Sequence, residues 1–341
     1  MGAVLCNAPG GPEVMRWHQA ERPEAGPGEV VVRVAATAVN RADLSQRAGR
    51  YPVPPGTSPI LGLECSGRVH SVGEGVSDVE AGTSVMALVT GGAYAEYVAV
   101  PVPQLMPIPA GVTLADAASL PEALCTVYAN LVMDGGLRPG QSVLVHGGGS
   151  GIGTMAIQLI RALGARPMVT VGSERKGDLC MSLGAEAVIN YRTQDFVSEV
   201  RDRTAGAGVD LLLDCVGGSY LSRNVEALAD DGTMLIIGLQ GGNGSRIDLG
   251  PVMRRRLTVR GSTLRARPPR HKAAIVDATA RALTGLIETG RIRPVVDRRF
   301  PIARAADAHR YVESGQNFGK VVLEVQDTSS DGHPAHLTGA G

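Results

Sequence analysis

A glycine-rich turn between a predicted strand and a predicted helix constrains this chain more than any other feature. Residues 142–146 form a β-branched apolar run, residues 147–153 read GGGSGIG, and an apolar helical pattern follows to residue 163. Such a turn directs backbone N–H groups and the positive end of the helix dipole toward one point, where a pyrophosphate can bind. The turn departs from the G-x-G-x-x-G pattern, because Ser150 occupies the place of its middle glycine. The strand–turn–helix context favours a dinucleotide site over a turn that serves structure alone.

Strands and helices alternate around this turn. Regular alternation with almost wholly apolar strands is typical of a parallel sheet that carries helices on both faces. We therefore predict an α/β fold with a doubly wound parallel sheet over residues 122–262. The predicted strands cover residues 142–146, 168–171, 187–190, 209–214, 233–237 and 257–261, and the predicted helices cover residues 151–163, 174–183, 194–204 and 219–229.

The sequence on either side of this region has a different texture. Short β-branched runs bounded by Gly, Pro and Asp are typical of residues 1–121. After residue 262 the pattern predicts a long helix over 270–289, then a strand, a shorter helix and a last strand. We predict that residues 1–121 and 263–326 form one discontinuous domain. The Ser-, Gly- and His-rich tail, residues 327–341, is predicted to be disordered.

The end of the second strand indicates which dinucleotide the chain would bind. Enzymes that use NAD usually place an acidic residue there, which accepts a hydrogen bond from the ribose 2′-hydroxyl. Here the strand over 168–171 is followed by Gly172, Ser173, Glu174, Arg175 and Lys176; Glu174 comes one residue beyond the tip, where it can point away as the first helical residue. A Ser hydroxyl and a Lys ammonium can bind the 2′-phosphate that an acid would repel, so the sequence favours NADPH. The alternative is that Arg175 and Lys176 form a solvated helix face.

Composition and charge exclude several other classes of protein. Lys+Arg 33 balance Asp+Glu 33, and aromatic residues make up 3%, so we expect no binding to nucleic acid or to a membrane surface. One acid-free stretch, residues 254–272, carries eight cations, and we interpret it as a solvated face. The five cysteines are scattered, and the N-terminus shows no basic segment followed by an apolar run. We therefore expect a soluble, cytoplasmic protein with reduced thiols.

Several motifs together resemble the medium-chain dehydrogenase/reductase superfamily, and within it the zinc-independent quinone oxidoreductases of the zeta-crystallin type. The motifs are residues 40–43 (NRAD), 62–67 (GLECSG), 92–97 (GAYAEY), 120–126 (LPEALCT), 215–220 (CVGGSY) and 319–320 (GK). The resemblance covers about residues 1–325 and implies a β-rich, GroES-like substrate domain joined to a Rossmann domain. A short-chain dehydrogenase is disfavoured, since none of the seven tyrosines is followed four positions later by Lys.

The resemblance implies a site without metal. The zinc-binding branch of the superfamily has Cys where this chain has Asn40, and His where it has Leu63. A catalytic zinc needs three protein ligands, so no metal is expected. Asn40, Tyr51 and Thr126 are implied to lie beside the nicotinamide, with Asn40 and Tyr51 as neutral donors to the acceptor oxygen. The alternative for Tyr51 is packing against its neighbouring prolines.

A larger set of residues is implied to contact the cofactor along its length, from the pyrophosphate to the 2′-phosphate and the nicotinamide. The set is Ser150, Gly151, Ile152, Gly172, Ser173, Lys176, Tyr191, Val216, Gly217, Leu239, Gln240, Gly241 and Lys320. The resemblance further implies a homodimer, in which strand 257–261 of each copy pairs across a two-fold axis. An unpaired sheet edge at this strand would otherwise need a cover.

These features predict an NADPH-dependent oxidoreductase that reduces small-molecule quinones or other α,β-unsaturated carbonyls without a metal. In such enzymes the cofactor supplies the hydride, and the protein orients it and polarises the acceptor. Two alternatives remain open: an enoyl or alkenal reductase of a biosynthetic pathway, and a non-catalytic NADPH-binding regulatory protein.

Overall fold

Two large sheets of different kinds, and a two-stranded antiparallel sheet of residues 2–6 and 15–19, organise the structure, a computed structural model that describes residues 1–325. The predicted disordered tail, residues 327–341, lies outside the described residues. The strands are β1 Gly2–Cys6, β2 Met15–Gln19, β3 Glu29–Ala38, β4 Glu64–Val72, β5 Ser84–Leu88, β6 Tyr97–Pro101, β7 Leu105–Pro107, β8 Ser142–His146, β9 Arg166–Val171, β10 Ala187–Asn190, β11 Val209–Asp214, β12 Leu228–Ile236, β13 Thr258–Gly261, β14 Val296–Pro301 and β15 Lys320–Glu324. The α-helices are α1 Arg41–Arg47, α2 Leu114–Ala117, α3 Pro121–Val127, α4 Gly151–Ala162, α5 Glu174–Ser182, α6 Phe196–Arg203, α7 Leu221–Ala227, α8 Leu249–Arg254, α9 Pro269–Glu288 and α10 Ala305–Glu313.

The middle of the chain forms a parallel sheet of six strands, counted within residues 1–325, in the order β10-β9-β8-β11-β12-β13. Counted from β8, this is the 3-2-1-4-5-6 order of dinucleotide-binding folds, which confirms the predicted α/β class. The order reverses between β8 and β11, so the carboxyl ends of these two strands open a crevice. The glycine-rich turn leaves β8 at this crevice.

The second sheet joins the first and the last parts of the described chain. Its strands follow the order β14-β15-β3-β4-β5-β7, and β6 also pairs with β3. The first half of β3 pairs with β6, and its last three residues pair with β15, both antiparallel. Residue 320 at the start of β15 is therefore held close to residues 38–40, which leave the end of β3. The proposed domain boundaries near residues 121 and 262 stay predictions.

One apolar cluster connects the two sheets. It contains buried side chains of β5, α3, β8, α4 and α9. Representative members are Leu88, Leu124, Val145, Ile157 and Ile275, each at most 1% exposed. Because burial of such side chains is worth roughly 1.5–3 kcal/mol each, the cluster holds the loops of the β-rich sheet firmly against the crevice.

Most predicted elements lie within three residues of the observed bounds, and the differences have local causes. The β-branched run in the first half of β3 ends at residue 34, whereas the strand continues to Ala38; Thr37 is the one β-branched residue of its last four, so the sequence indicates this end of the strand only weakly. Helix α8 was not expected, since Gly250 and Pro251 in its first turn are typical of loops.

Candidate active site

The turn after β8 has the geometry of an anion site at a helix N-terminus. Ser150 immediately precedes α4, and its hydroxyl accepts a hydrogen bond from the N–H of Gly153 at 3.0 Å. Gly147 has a φ of +77°, which favours glycine. A Cβ on Gly153 would collide with the Gly147 carbonyl, so only glycine lets the helix begin this close to the turn. The predicted residues Ser150, Gly151 and Ile152 thus form the first turn of a twelve-residue helix that starts at the crevice.

The residues predicted to bind the 2′-phosphate lie together at the end of β9. The Ser173 hydroxyl accepts a hydrogen bond from the Lys176 N–H at 3.4 Å, which begins α5. The hydroxyl of Tyr191 lies 2.5 Å from the position that a Cβ on Gly172 would occupy. The Lys176 side chain crosses the glycine-rich turn, and its Nζ donates to the carbonyl of Gly315 at 2.7 Å. The 2′-phosphate role of these two hydroxyls and one ammonium stays a prediction.

The ends of β11 and β12 form the opposite wall of the crevice. The predicted cofactor residues on this wall are Val216, Gly217, Leu239, Gln240 and Gly241. The buried carboxylate of Asp214 accepts hydrogen bonds from the N–H groups of Val216 at 2.7 Å and Gly217 at 3.1 Å. The Gly241 N–H donates to the Val216 carbonyl at 2.6 Å, so the two loops are tied together. Leu239 and Gln240 are exposed at the rim, where they can cover a bound nucleotide.

Three polar side chains from distant parts of the chain meet beside the start of α4. Nζ of Lys320 donates to Oε1 of Glu64 at 2.6 Å and to Oδ1 of Asn40 at 2.7 Å. The Asn40 amide donates to the same Glu64 oxygen at 2.8 Å. A Cβ on Gly151 would collide with the Lys320 stem, which therefore lies directly over the helix N-terminus. We call Asn40, Glu64 and Lys320 the lysine cluster; it connects the pyrophosphate end of the crevice to the β-rich sheet.

A buried network behind the lysine cluster positions Asn40. The carboxylate of Asp43 accepts hydrogen bonds from the backbone N–H groups of Asn40 at 2.8 Å and Gly62 at 3.0 Å. Burial raises the pKa of Asp43 to about 6, and these hydrogen bonds oppose the rise. The Tyr94 hydroxyl bridges Asp43 at 3.5 Å and Nε2 of His309 at 3.0 Å. Because Asn40 and Asp43 form a capping box at the start of α1, this network also fixes where the helix begins.

Two groups that can carry a proton, the carboxyl group of Glu122 and the phenol of Tyr51, lie at the other end of the lysine cluster. The N–H of Glu122 donates to Oε2 of Glu64 at 2.9 Å, at the start of α3. Burial, and then the charge of Glu64, raises the pKa of Glu122 to about 8. Burial, and then Glu122, raises the pKa of Tyr51 above its usual range. At neutral pH both Tyr51 and Glu122 therefore carry a proton that they can donate.

The structure brings most, and not all, of the predicted catalytic residues to this place. Asn40 belongs to the lysine cluster, and Tyr51 interacts electrostatically with Glu122. Thr126 lies one helical turn after Glu122 and is 9% exposed; its carbonyl accepts a hydrogen bond from the Asn130 amide. Among the described residues, no hydrogen bond joins Thr126 to the lysine cluster. Glu122 was missed, although a carboxylate inside the apolar run 120–127 is a signal for a buried polar site.

The interpretation of residues 254–272 as a solvated face is wrong for two of its cations. Arg265 is 5% exposed and Lys272 is 2% exposed. The neighbouring Arg260 and Arg267 do lie toward solvent, and both pair with Asp134, at 2.8 and 3.2 Å. The stretch therefore has two sides, one on the surface and one that faces the interior near Tyr51.

Comparison with known proteins matches both parts of the chain. Residues 26–110 match the family described as alcohol dehydrogenase GroES-like domain, and residues 151–280 match the family described as zinc-binding dehydrogenase. A 2-haloacrylate reductase from Burkholderia sp. is 32% identical over 334 residues, which cover 94% of this chain and 98% of the relative. The chain belongs to the medium-chain dehydrogenase/reductase family. This oxidoreductase has the two-domain fold of that family, a GroES-like domain and a Rossmann domain, as the sequence predicted.

Other relatives of this oxidoreductase show how varied the family is. The Escherichia coli quinone oxidoreductase, solved in complex with NADPH, has a TM-score of 0.87 at 28% identity and covers 95% of this chain and 100% of its own. An NAD-dependent alcohol dehydrogenase has a TM-score of 0.84 at 33% identity, with 96% of this chain and 100% of its own covered. A Mycobacterium tuberculosis mycocerosic acid synthase-like polyketide synthase is 32% identical over 94% of this chain, which spans only 15% of that relative's length.

In this chain, the two positions that hold zinc ligands in the zinc-binding branch carry side chains with other contacts. Asn40 holds Lys320 and Glu64, and Leu63 is a core residue that is 2% exposed. Within residues 1–325, no group of three or more His, Cys, Asp or Glu side chains is arranged to hold a metal ion. Helices in the same part of the chain are all too short or too polar to cross a bilayer.

Proposed function

We propose that this protein reduces quinones and other α,β-unsaturated carbonyls with NADPH and without a metal. The observation that carries the proposal is the lysine cluster: the Lys320 stem lies over the start of α4, and its ammonium donates to Asn40, which stands where the family's zinc branch has a Cys ligand. The E. coli relative that is solved with NADPH supports the choice of cofactor. So do the ends of β9 and β10, where Ser173, Lys176 and Tyr191 lie and where the nearest acid after β9, Glu174, is already the first residue of α5.

The residues of the chain bind and orient the cofactor and polarise the acceptor. When bound, NADPH supplies the hydride. Its pyrophosphate would lie on the first turn of α4, and its 2′-phosphate would contact Ser173, Lys176 and Tyr191. The Tyr51 hydroxyl, protonated at neutral pH, would donate to the acceptor oxygen as negative charge develops there. The Asn40 amide is already committed to Glu64, so we assign Asn40 the orientation of Lys320 rather than direct donation.

Replacing Tyr51 with Phe tests this proposal, because only the hydroxyl is lost. Loss of one oxyanion donor typically lowers kcat by about 10²–10³-fold, and we expect that loss with an enal and a smaller one with an electrophilic quinone. NADPH affinity should stay unchanged. Tyr97→Phe, in β6 on the β-rich sheet, is the matched control. Activity should survive exhaustive chelation, and an unchanged kcat in Tyr51→Phe on both acceptors would remove Tyr51 from the site.

One observation favours a second candidate, an enoyl reductase acting on a biosynthetic intermediate. The aligned segment of the polyketide synthase relative covers nearly this whole chain. A panel of NADPH-oxidation assays over quinones, enals and enoyl thioesters separates the two activities. Failure to oxidise NADPH with every acceptor, despite tight NADPH binding, would instead support a non-catalytic regulatory protein. The cytoplasmic location and the homodimer stay predictions.

A further inference from the structure

Arg265 is a buried cation whose donors are mostly unused. Its Nε donates to the carbonyl of Thr90 at 2.7 Å. Both terminal nitrogens are buried and have no hydrogen-bond partner among the described residues. An arginine keeps its charge inside proteins, and an unpaired buried charge is costly. Such a group calls for a specific explanation, because buried polar atoms are otherwise nearly always paired.

Arg265 lies beside Tyr51. Its guanidinium carbon lies 5.4 Å from the centre of the Tyr51 ring. One terminal nitrogen lies 3.4 Å from the position of a Cβ on Gly91, so a side chain there would crowd the guanidinium. Nζ of Lys272 donates to the Arg265 carbonyl at 3.1 Å and to the Thr90 hydroxyl at 2.6 Å. Two cations thus stand side by side at the Tyr51 end of the site.

No acid within residues 1–325 forms an ion pair with either of these two cations. Among the described residues, no carboxylate lies within 4.0 Å of the charged nitrogens of Arg265 or Lys272, whereas Asp134 serves Arg260 and Arg267 on the opposite side. Glu122 and Asp43 are close enough to influence Arg265 electrostatically, but they form no ion pair with it. Glu122 is protonated at neutral pH, since its pKa is raised to about 8, and so leaves the positive charge uncompensated.

We propose that Arg265 binds a carboxylate of the substrate, so that the preferred acceptors are α,β-unsaturated carbonyl compounds with an acidic group. The inference rests on the proposed function, since it places the charged end of the acceptor beside Tyr51. The two free terminal nitrogens can bind both oxygens of a carboxylate in parallel, which a single ammonium cannot do. Lys272 adds positive charge and holds the backbone of residue 265 in place. A neutral quinone would leave these donors unpaired.

A matched pair of acceptors tests the charge alone. (E)-4-Oxopent-2-enoate and its methyl ester contain the same enone. In each, one alkene carbon accepts the hydride of NADPH and the other accepts a solvent proton, giving the saturated ketone and NADP⁺. We expect the wild-type protein to prefer the acid in kcat/KM. Arg265→Met should lower kcat/KM for the acid by about 10–100-fold, the range for a charge-assisted hydrogen bond, and leave the ester nearly unchanged. Arg281→Met removes an exposed cation as the control.

A binding measurement separates this inference from the proposed function. Titration of the NADP⁺-loaded protein with 4-oxopentanoate and with methyl 4-oxopentanoate reports recognition without turnover. Arg265-dependent binding of the acid in a protein that reduces neither acceptor would uphold the inference and refute the proposed function. Equal use of acid and ester, unaffected by Arg265→Met, would overturn the inference and leave the function standing. If Arg265→Met does not fold, Arg265→Lys replaces it. This variant keeps the positive charge and should retain part of the preference for the acid over the ester. Equal rates with acid and ester, both in this variant and in wild type, would again overturn the inference.

Discussion

Removing the ammonium of Lys320 should cost the protein a large part of its stability. The ammonium lies 2.6 Å from a carboxylate oxygen of Glu64, and Glu64 is fully buried. Removal of one partner from a buried ion pair leaves the other charge unpaired and typically costs about 3–5 kcal/mol. We therefore expect Lys320→Met to lower the free energy of unfolding by about that amount at pH 7, with the remaining Asn40 and Glu122 hydrogen bonds only partly compensating Glu64.

A double-mutant cycle measures how much of this loss belongs to the pair. Glu64→Gln in the Lys320→Met background removes the unpaired charge, so the double variant should be more stable than Lys320→Met by about 1–4 kcal/mol. Thermal unfolding followed by circular dichroism gives the comparison. The control Arg281→Met breaks an exposed pair with Asp277 and should change stability by less than about 1 kcal/mol. A double variant as unstable as Lys320→Met alone would refute the ion-pair reasoning.

Three further predictions follow from the same structure. Lys176→Ala should weaken NADPH binding by about 1–3 kcal/mol and hardly change NADH binding, measured by fluorescence titration, because only NADPH carries the phosphate; equal losses would contradict the cofactor assignment. Because the pKa of Glu122 is raised from its usual 4.5 to about 8, the stability that its protonated form contributes is complete below pH 4.5 and is lost as the pH rises through about 8. We therefore expect Glu122→Gln to be more stable than wild type at pH 9 and similar to it at pH 5, as measured by denaturation at each pH. The exposed edge strand Thr258–Gly261 should pair with a second copy, and light scattering that finds a monomer at micromolar concentration would rule out the predicted homodimer.

The sequence predicts the Rossmann half well because its signals are local. β8 is wholly buried and has an apolar centre at residues 143–145, and a glycine cluster separates it from the amphipathic helix that follows. Strand and helix periodicity, with Gly as the stop signal, is enough to assign the alternating elements there. The strands of the β-rich sheet are harder to predict from the sequence. They pair with strands that are far away in the chain, and small residues such as Ala36 give little indication of a strand.

The site is only partly readable from the sequence, because its decisive contacts are not local. Lys320 lies 256 residues from Glu64 and 280 residues from Asn40 in the chain, so no spacing rule could pair them. The family resemblance alone implies a cofactor-binding role for Lys320, and no role was predicted for its partner Glu64. Arg265 shows the same limit: its neighbours in sequence are surface cations, and only packing shows that its side chain turns inward.

Every lysine of this protein belongs to the candidate site or lies beside it. The sequence contains three lysines, Lys176, Lys272 and Lys320. One lies at the predicted 2′-phosphate position, one beside the proposed carboxylate position, and one at the centre between them. Protein grown on lysine labelled with ¹³C at Cε would therefore give a carbon NMR spectrum with three lysine signals, each reporting on one part of a bound cofactor–substrate pair. The three native lysines can therefore serve as spectroscopic probes of the candidate site without any engineered label.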